Sequence, residues 1–180
     1  MQKELTYVVI TPYSLIKSRT GNIIARLMSF SGCDLVGVRM MRPSDEFVDK
    51  YIRRLKNLNI DRRLEKALVD YIDQNLRREN ILGQPNRCLF LLFEGKDAVE
   101  KIYNVVGELT TEAESEAIRG TIRGTYCDFI TTPDGKVRYF EPAVLVPTNL
   151  NYAKSVLEQS TKLSCMTAHR PGRFPHTGKK

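Results

Sequence analysis

Residues 88–106 read CLFLLFEGKDAVEKIYNVV. The first six form the most continuously apolar run in the chain, the pattern of a strand buried on both faces in the middle of a sheet. Gly95 breaks that run. Asp97 then precedes Ala98, Val99, Ile102, Tyr103, Val105 and Val106, which recur at helical spacing and predict a helix that packs back on the sheet. A central strand followed by a covering helix is half of a two-layer α+β unit, so the rest of the chain has to supply the other strands and helices.

Toward the N-terminus, residues 5–10 carry the aromatic and β-branched run Tyr7-Val8-Val9-Ile10, ended by Pro12, and read as a buried strand. After a polar connection Thr20 is placed to cap a helix whose apolar positions are Ile23, Ile24, Leu27, Met28 and Phe30, stopped by Ser31-Gly32. Residues 35–41 are strand-like again, closed by Pro43. Two amphipathic helices follow over residues 44–80. Phe47, Val48, Tyr51, Ile52 and Leu55 form one stripe, Leu64, Leu68, Tyr71, Ile72 and Leu76 the other, and Asn57-Leu58-Asn59 separates them. Their outer charges are near balance, the pattern of a solvated helical surface.

Toward the C-terminus, residues 107–124 are mixed and polar. Residues 126–132 and 137–140 flank Pro133-Asp134-Gly135 and predict a β-hairpin, and a last helix spans about residues 149–159. Two strand–helix–strand-like units sharing one sheet give an α+β, ferredoxin-like βαββαβ sandwich, enlarged by a helical hairpin and an extra β-hairpin.

The chain has 180 residues, 42% of them hydrophobic and 27% charged, with 11 Gly and 8 Pro, which excludes collagen-like, coiled-coil and wholly disordered classes. Its net charge is +7, but residues 161–180 hold Lys162, Arg170, Arg173, Lys179 and Lys180 and no acidic residue, leaving +2 on residues 1–160. The body is therefore not a basic nucleic-acid binder, and nucleic acid remains an expected partner only through the tail. With Pro171, Gly172, Pro175 and Gly178, the tail reads as a disordered segment or, alternatively, as a polyanion-binding arm. It also holds both histidines, His169 and His176. Cys33, Cys88, Cys127 and Cys165 lack the short paired spacings of zinc sites or redox dithiols. No apolar run has the length of a membrane span, and the first residues lack a signal-peptide plan, so the simplest expectation is a cytoplasmic protein with no membrane partner.

Four segments in order then resemble one family. Gly21-Asn22-Ile23-Ile24-Ala25-Arg26, Gly32-Cys33-Asp34-Leu35-Val36-Gly37-Val38-Arg39-Met40, Glu94-Gly95-Lys96-Asp97-Ala98-Val99 and Gly120-Thr121-Ile122-Arg123-Gly124 are similar to stretches of the nucleoside diphosphate kinases. The resemblance covers roughly residues 4–160. It implies a ferredoxin-like domain that passes a γ-phosphate between nucleotides through a phosphohistidine, with Mg²⁺ bridging the phosphates, and assembly into a homo-oligomer through the sheet edge and the helix after Gly21.

That chemistry needs a neutral imidazole nitrogen as nucleophile and cations around the phosphates. Aligned from the final helix, the histidine's position falls on Leu145; aligned from Gly135, it falls on Phe140 or Glu141. The family's lysine after the first strand is Thr11, its helix arginine is Tyr103, a threonine is near Leu109, and its asparagine is Val137 or Pro142. What the resemblance leaves as nucleotide or phosphate contacts is Arg123, with Thr121 in the same loop, the neighbouring Arg119, and Lys17 with Arg19 after the first strand. Two readings of Arg123 stand open: it lines an electropositive cleft, or it pairs with Glu141, Asp128 or Glu112 as structure. Tyr51 either offers a base-stacking face or belongs to the core.

The expected function is thus a nucleoside diphosphate kinase-like protein with weak binding of ATP or other nucleotides and no phosphohistidine transfer, and Mg²⁺ entering only with a nucleotide. The alternative is a non-catalytic interaction or assembly module with a polyanion-binding tail. An active site rebuilt on Glu141 or Thr148 ranks last, because neither has an activating neighbour in sequence.

Overall fold

The structure is a computed structural model that describes residues 3–56, 60–109, 120–131, 133 and 137–162. Asn57-Leu58-Asn59, Glu112, Arg119, most of the Pro133-Asp134-Gly135 turn, Cys165, His169 and His176 lie outside the described residues.

The main sheet contains β1 (Glu4–Ile10), β2 (Asp34–Met41), β3 (Cys88–Gly95) and β6 (Val144–Leu145) in the order β2-β3-β1-β6. All neighbours run antiparallel, with Tyr7 opposite Leu92, Val38 opposite Leu91 and Val9 opposite Leu145. This is the ferredoxin-like arrangement, and the apolar run at residues 88–93 occupies an interior strand as its composition requires.

The period-two alternation of the strands divides the core in two. Tyr7, Val9, Phe90 and Leu145 face α3 (Asp45–Leu55), α4 (Arg62–Leu76) and α7 (Leu150–Lys162). Val8, Ile10, Leu89, Leu91 and Phe93 face α2 (Thr20–Phe30) and α5 (Ala98–Val106), together with Ile122. The two stripes read from the sequence at residues 44–80 form the helical hairpin. Ser44 caps α3 by accepting from Phe47 N, and Asp61 caps α4 by accepting from Arg63 N and Leu64 N.

Several local expectations are corrected. Thr20 is the first helical residue of α2 and not its cap; Arg19 stands at the cap without a side-chain capping bond. Asp97 does precede α5 but adopts a left-handed backbone with no capping bond, and Glu4 accepts from Val99 N instead. The polar connection after β1 contains a short helix, α1 (Pro12–Ile16). The mixed stretch after residue 107 contains another, α6 (Ile122–Tyr126), so Tyr126 is helical. The hairpin of β4 (Asp128–Thr131) and β5 (Val137–Glu141) forms its own two-stranded sheet, and the main sheet is closed by the two-residue β6. The last helix runs to Lys162. Among the described residues no helix is long and apolar enough to cross a membrane.

Candidate functional site

A cleft of about 70 Å³ opens beside the end of β6, between the helical hairpin and the C-terminal end of α5. Leu55, Leu64, Leu68 and Ile60 wall one side; Tyr103, Leu109, Leu145, Val146 and Thr148 the other, with Tyr51 and Arg123 completing the lining. The hairpin stripe residues are there because α3 and α4 turn their apolar faces toward the sheet.

Arg123 is only 3% exposed. Thr121 caps α6 by accepting from Gly124 N, which orients the short helix so that Arg123 points inward. Its Nη1 donates to Gly107 O at 2.6 Å and its Nη2 to Val144 O at 3.4 Å. Its Nε has no hydrogen-bond partner among the described residues. Burial pulls the guanidinium down to about 10, still well above neutrality. Gly107 makes this possible: it ends α5 at φ +86, and a Cβ there would come within 2.4 Å of Thr121 Oγ1.

Arg123 therefore forms neither of the carboxylate pairs that lie within the described residues. Glu141 is engaged elsewhere: its Oε1 accepts from Thr11 Oγ1 at 2.9 Å, Tyr71 OH at 3.1 Å and Ala143 N at 3.2 Å. Burial pushes this carboxyl up to about 7, against the opposing pull of those hydrogen bonds. Asp128 pairs with Arg19 at 3.6 Å. The hydroxyl of Thr11, where the resemblance puts a phosphate-binding lysine, is committed to this polar network and to Ala143 O.

Lys17 does not join Arg123 in lining the cleft. Its ammonium lies 5.5 Å from the Tyr13 ring centroid, Arg19 stands over both Tyr13 and Tyr126, and Arg26 stands over Tyr126. These alternating cations and rings tie α1, α2 and α6 together and keep the loop cations away from the cleft. Thr121 is spent on capping. Tyr51 belongs to the core, buried, stacked on Phe47 and edge-on to Tyr152, and it also lines the cleft. Burial raises the phenols of Tyr7, Tyr51 and Tyr152 above their ordinary value, so this cluster supplies no phenolate to the cleft.

Of the positions onto which the histidine aligns, Leu145 lines the cleft, whereas Phe140 packs edge-on against Tyr71 in the core and Glu141 belongs to the Thr11 network. The lining residues that sequence reasoning does not single out are the aliphatic ones, Leu55, Ile60, Leu64, Leu68 and Val146. Nothing in a helical stripe distinguishes a cleft wall from the core it adjoins. The described lining contains no carboxylate, and among the described residues no group of three His, Cys, Asp or Glu side chains is placed to hold a metal ion. The described lining by itself therefore supplies no ligand set for Mg²⁺.

Known proteins share both the sequence pattern and the fold. A nucleoside diphosphate kinase from Pyrococcus abyssi is 27% identical over 143 residues, covering 75% of this chain and 78% of that protein. An NDP kinase from Pyrobaculum aerophilum superposes with a TM-score of 0.60 at 19% identity, covering 87% of this chain and 94% of that one. A nucleoside diphosphate kinase from Borrelia burgdorferi, solved as a transition-state mimic with vanadate and ADP, gives 0.61 at 16% identity over 84% and 83% of the two chains. The family model for nucleoside diphosphate kinase matches residues 4–133, from the start of β1 into the β4–β5 hairpin, and on that span the chain belongs to the nucleoside diphosphate kinase family.

Proposed function

We propose that this family member does not pass phosphate through a histidine and that its cleft is a binding site without that chemistry. The observation that carries the reading is Leu145, a buried aliphatic side chain in the cleft wall beside Arg123, where the alignment from the final helix puts the nucleophile; the alternative positions, Phe140 and Glu141, hold no imidazole either. A covalent phosphoryl intermediate needs a nitrogen lone pair aimed at phosphorus, and leucine has none. Two further observations support it. The hydroxyl of Thr11 is bound to Glu141, and Arg123 is the one cation in the described lining. A transferring γ-phosphate needs several such charges.

What remains for a nucleotide is Arg123 with the edges of Tyr51 and Tyr103, in a volume of about 70 Å³, where ligand pockets usually measure roughly 300–1,000 Å³. Nucleotide affinity is therefore expected to be weak, and Mg²⁺ would arrive only on the nucleotide. The deciding experiment incubates the full chain with γ-labelled ATP and denatures it. The expected result is no acid-labile phosphoprotein; label in the full chain overturns the proposal, and its loss on removing residues 163–180 would assign it to His169 or His176.

A second reading, an assembly module, is favoured by one observation. Phe30 on α2 is 74% exposed and Val38 on β2 is 58% exposed. Titration calorimetry with ADP, ATP and Mg²⁺ separates the two, since a module that has abandoned nucleotides gives no heat at millimolar ligand.

A further inference from the structure

The connection from α4 to β3, residues 77–87, is longer than the roughly 4–6 residues usual between elements, and its own side chains hold it in a definite shape. Asn86, 3% exposed, donates from Nδ2 to Leu76 O at 2.7 Å and to Pro43 O at 3.1 Å, which ties the loop both to the end of α4 and to the turn between β2 and α3. Asn80 donates to Gln84 O at 2.9 Å and accepts from Leu82 N at 3.0 Å. Between this loop and the β2–α3 turn lies a cavity of about 900 Å³, within the roughly 300–1,000 Å³ of small-molecule sites. None of its described lining residues is shared with the cleft around Arg123.

Arg42 and Arg78 line this cavity from two different segments, and both are exposed. The adjacent Arg77 has a different task, pairing with Asp49 on α3 and Asp73 on α4. Glu79 and Gln84 stand exposed in the same wall, and Ser44 Oγ accepts from Phe47 N while keeping its own O–H to donate. The described lining has no aromatic ring, and its apolar members are Pro43, Gly83 and Pro85. It offers a nucleobase no stacking face and an alkyl chain little to bury against. We infer that this cavity binds a small phosphorylated polyol, such as a sugar phosphate, at a site independent of whether the cleft takes nucleotides. Two guanidiniums present forked N–H donors that match the oxygens of a phosphate dianion, whereas a single carboxylate fills one fork. The remaining groups serve hydroxyls: Glu79 accepts, Gln84 accepts and donates, and Ser44 donates. Glu79 would repel the successive phosphates of a nucleic acid, so a short ligand with one anionic end fits better than a polyanion. Because Asn80 and Asn86 already fix the wall, little ordering cost falls due when the ligand arrives.

The test titrates the full chain with glucose 6-phosphate in a calorimeter, with glucose, inorganic phosphate and ADP as parallel arms. Saturable binding of the sugar phosphate is expected, with no heat from glucose and binding of inorganic phosphate weaker by about tenfold or more. Arg42→Gln and Arg78→Gln should each weaken the sugar phosphate by about tenfold. Glu79→Ala should weaken the sugar phosphate and leave inorganic phosphate no weaker. All three side chains are exposed, so the variants should melt with the wild type; Arg63→Gln, at an exposed position of α4 outside the described lining, should bind as the wild type does. No saturable binding at millimolar sugar phosphate, equal affinity for inorganic phosphate, or an affinity unaltered by both arginine substitutions or by Glu79→Ala overturns the assignment. Displacement of the sugar phosphate by ADP at comparable affinity overturns it too, because the site would then not select a polyol.

Discussion

Glu141 sits 1% exposed between the sheet and α4, with three donors around one oxygen and no cation bonded to it among the described residues. Its carboxyl titrates at about 7 in the folded protein, above the ordinary value of 4.5, because burial penalises the anion more than Tyr71, Thr11, the Ala143 amide and the more distant Arg19 favour it. Below about 4.5 it is protonated in both folded and unfolded chains. Above about 7 it is ionised in both, and the folded state carries the burial cost. Stability is therefore full at the acid end of this window and declines as pH rises from about 4.5 to about 7, by on the order of 3 kcal/mol if the whole shift is expressed. Glu141→Gln removes the titration. Its urea midpoint, followed from pH 4 to pH 8, should be flatter than that of the wild type, and at pH 8 it should lose less, or gain, relative to pH 4. An unchanged slope would show that the carboxyl is not the group responsible.

At the scale of elements, the junction of α5 with α6 holds the site. Gly107 ends α5 with a left-handed backbone, gives its carbonyl to Arg123, and leaves no space for a side chain against Thr121. Gly107→Ala therefore combines backbone strain with a 2.4 Å contact, and a loss of about 2–3 kcal/mol is expected in chemical denaturation. Gly21, in the first turn of α2, has no heavy atom within 4 Å of the point where a Cβ would stand, so Gly21→Ala should stabilise by roughly 0.5 kcal/mol. If both substitutions lower stability alike, the close packing at Gly107 is not what matters there. The same junction marks how far the sequence can be read. β1, β3 and the long helices declare themselves because each has enough residues for a period to show. The five residues of α6 span little more than one turn, and β6 is two residues whose strand character comes from lying beside Val9 and Ile10. The motif around Arg123 marks the residue, but its partners are main-chain carbonyls, which no residue type encodes. Lys17 departs from its expected place for a related reason: Tyr13 and Tyr126, distant from each other in sequence, provide rings that hold the loop cations in a separate stack.

At the scale of the whole molecule, the sheet is closed on one side by β6, and on the other, among the described residues, no strand pairs with the outer edge of the eight-residue β2. The edge is defended only by an irregularity between Leu35 and Gly37 and by the exposed charged residues Asp34 and Arg39. It has no proline, and Val36, Val38 and Met40 are exposed at alternate positions; Met28 and Phe30 on α2 add further exposed apolar surface. An open, apolar edge strand is a template for another strand, and a second copy of the same β2 offers a matching one under a two-fold axis, pairing both edges and covering both apolar surfaces at once. The chain is therefore expected to self-associate through β2, in keeping with the homo-oligomer that the family resemblance implies. Val38→Lys places a charge on each side of that axis and should shift the protein toward monomer by sedimentation velocity at tens of micromolar. Because Val38 is 58% exposed and its strand is supported from β3 alone, the substitution should leave the fold intact, which circular dichroism checks on the same sample. A wild-type protein that sediments as a monomer, or a Val38→Lys variant that remains associated, would move the contact away from this edge.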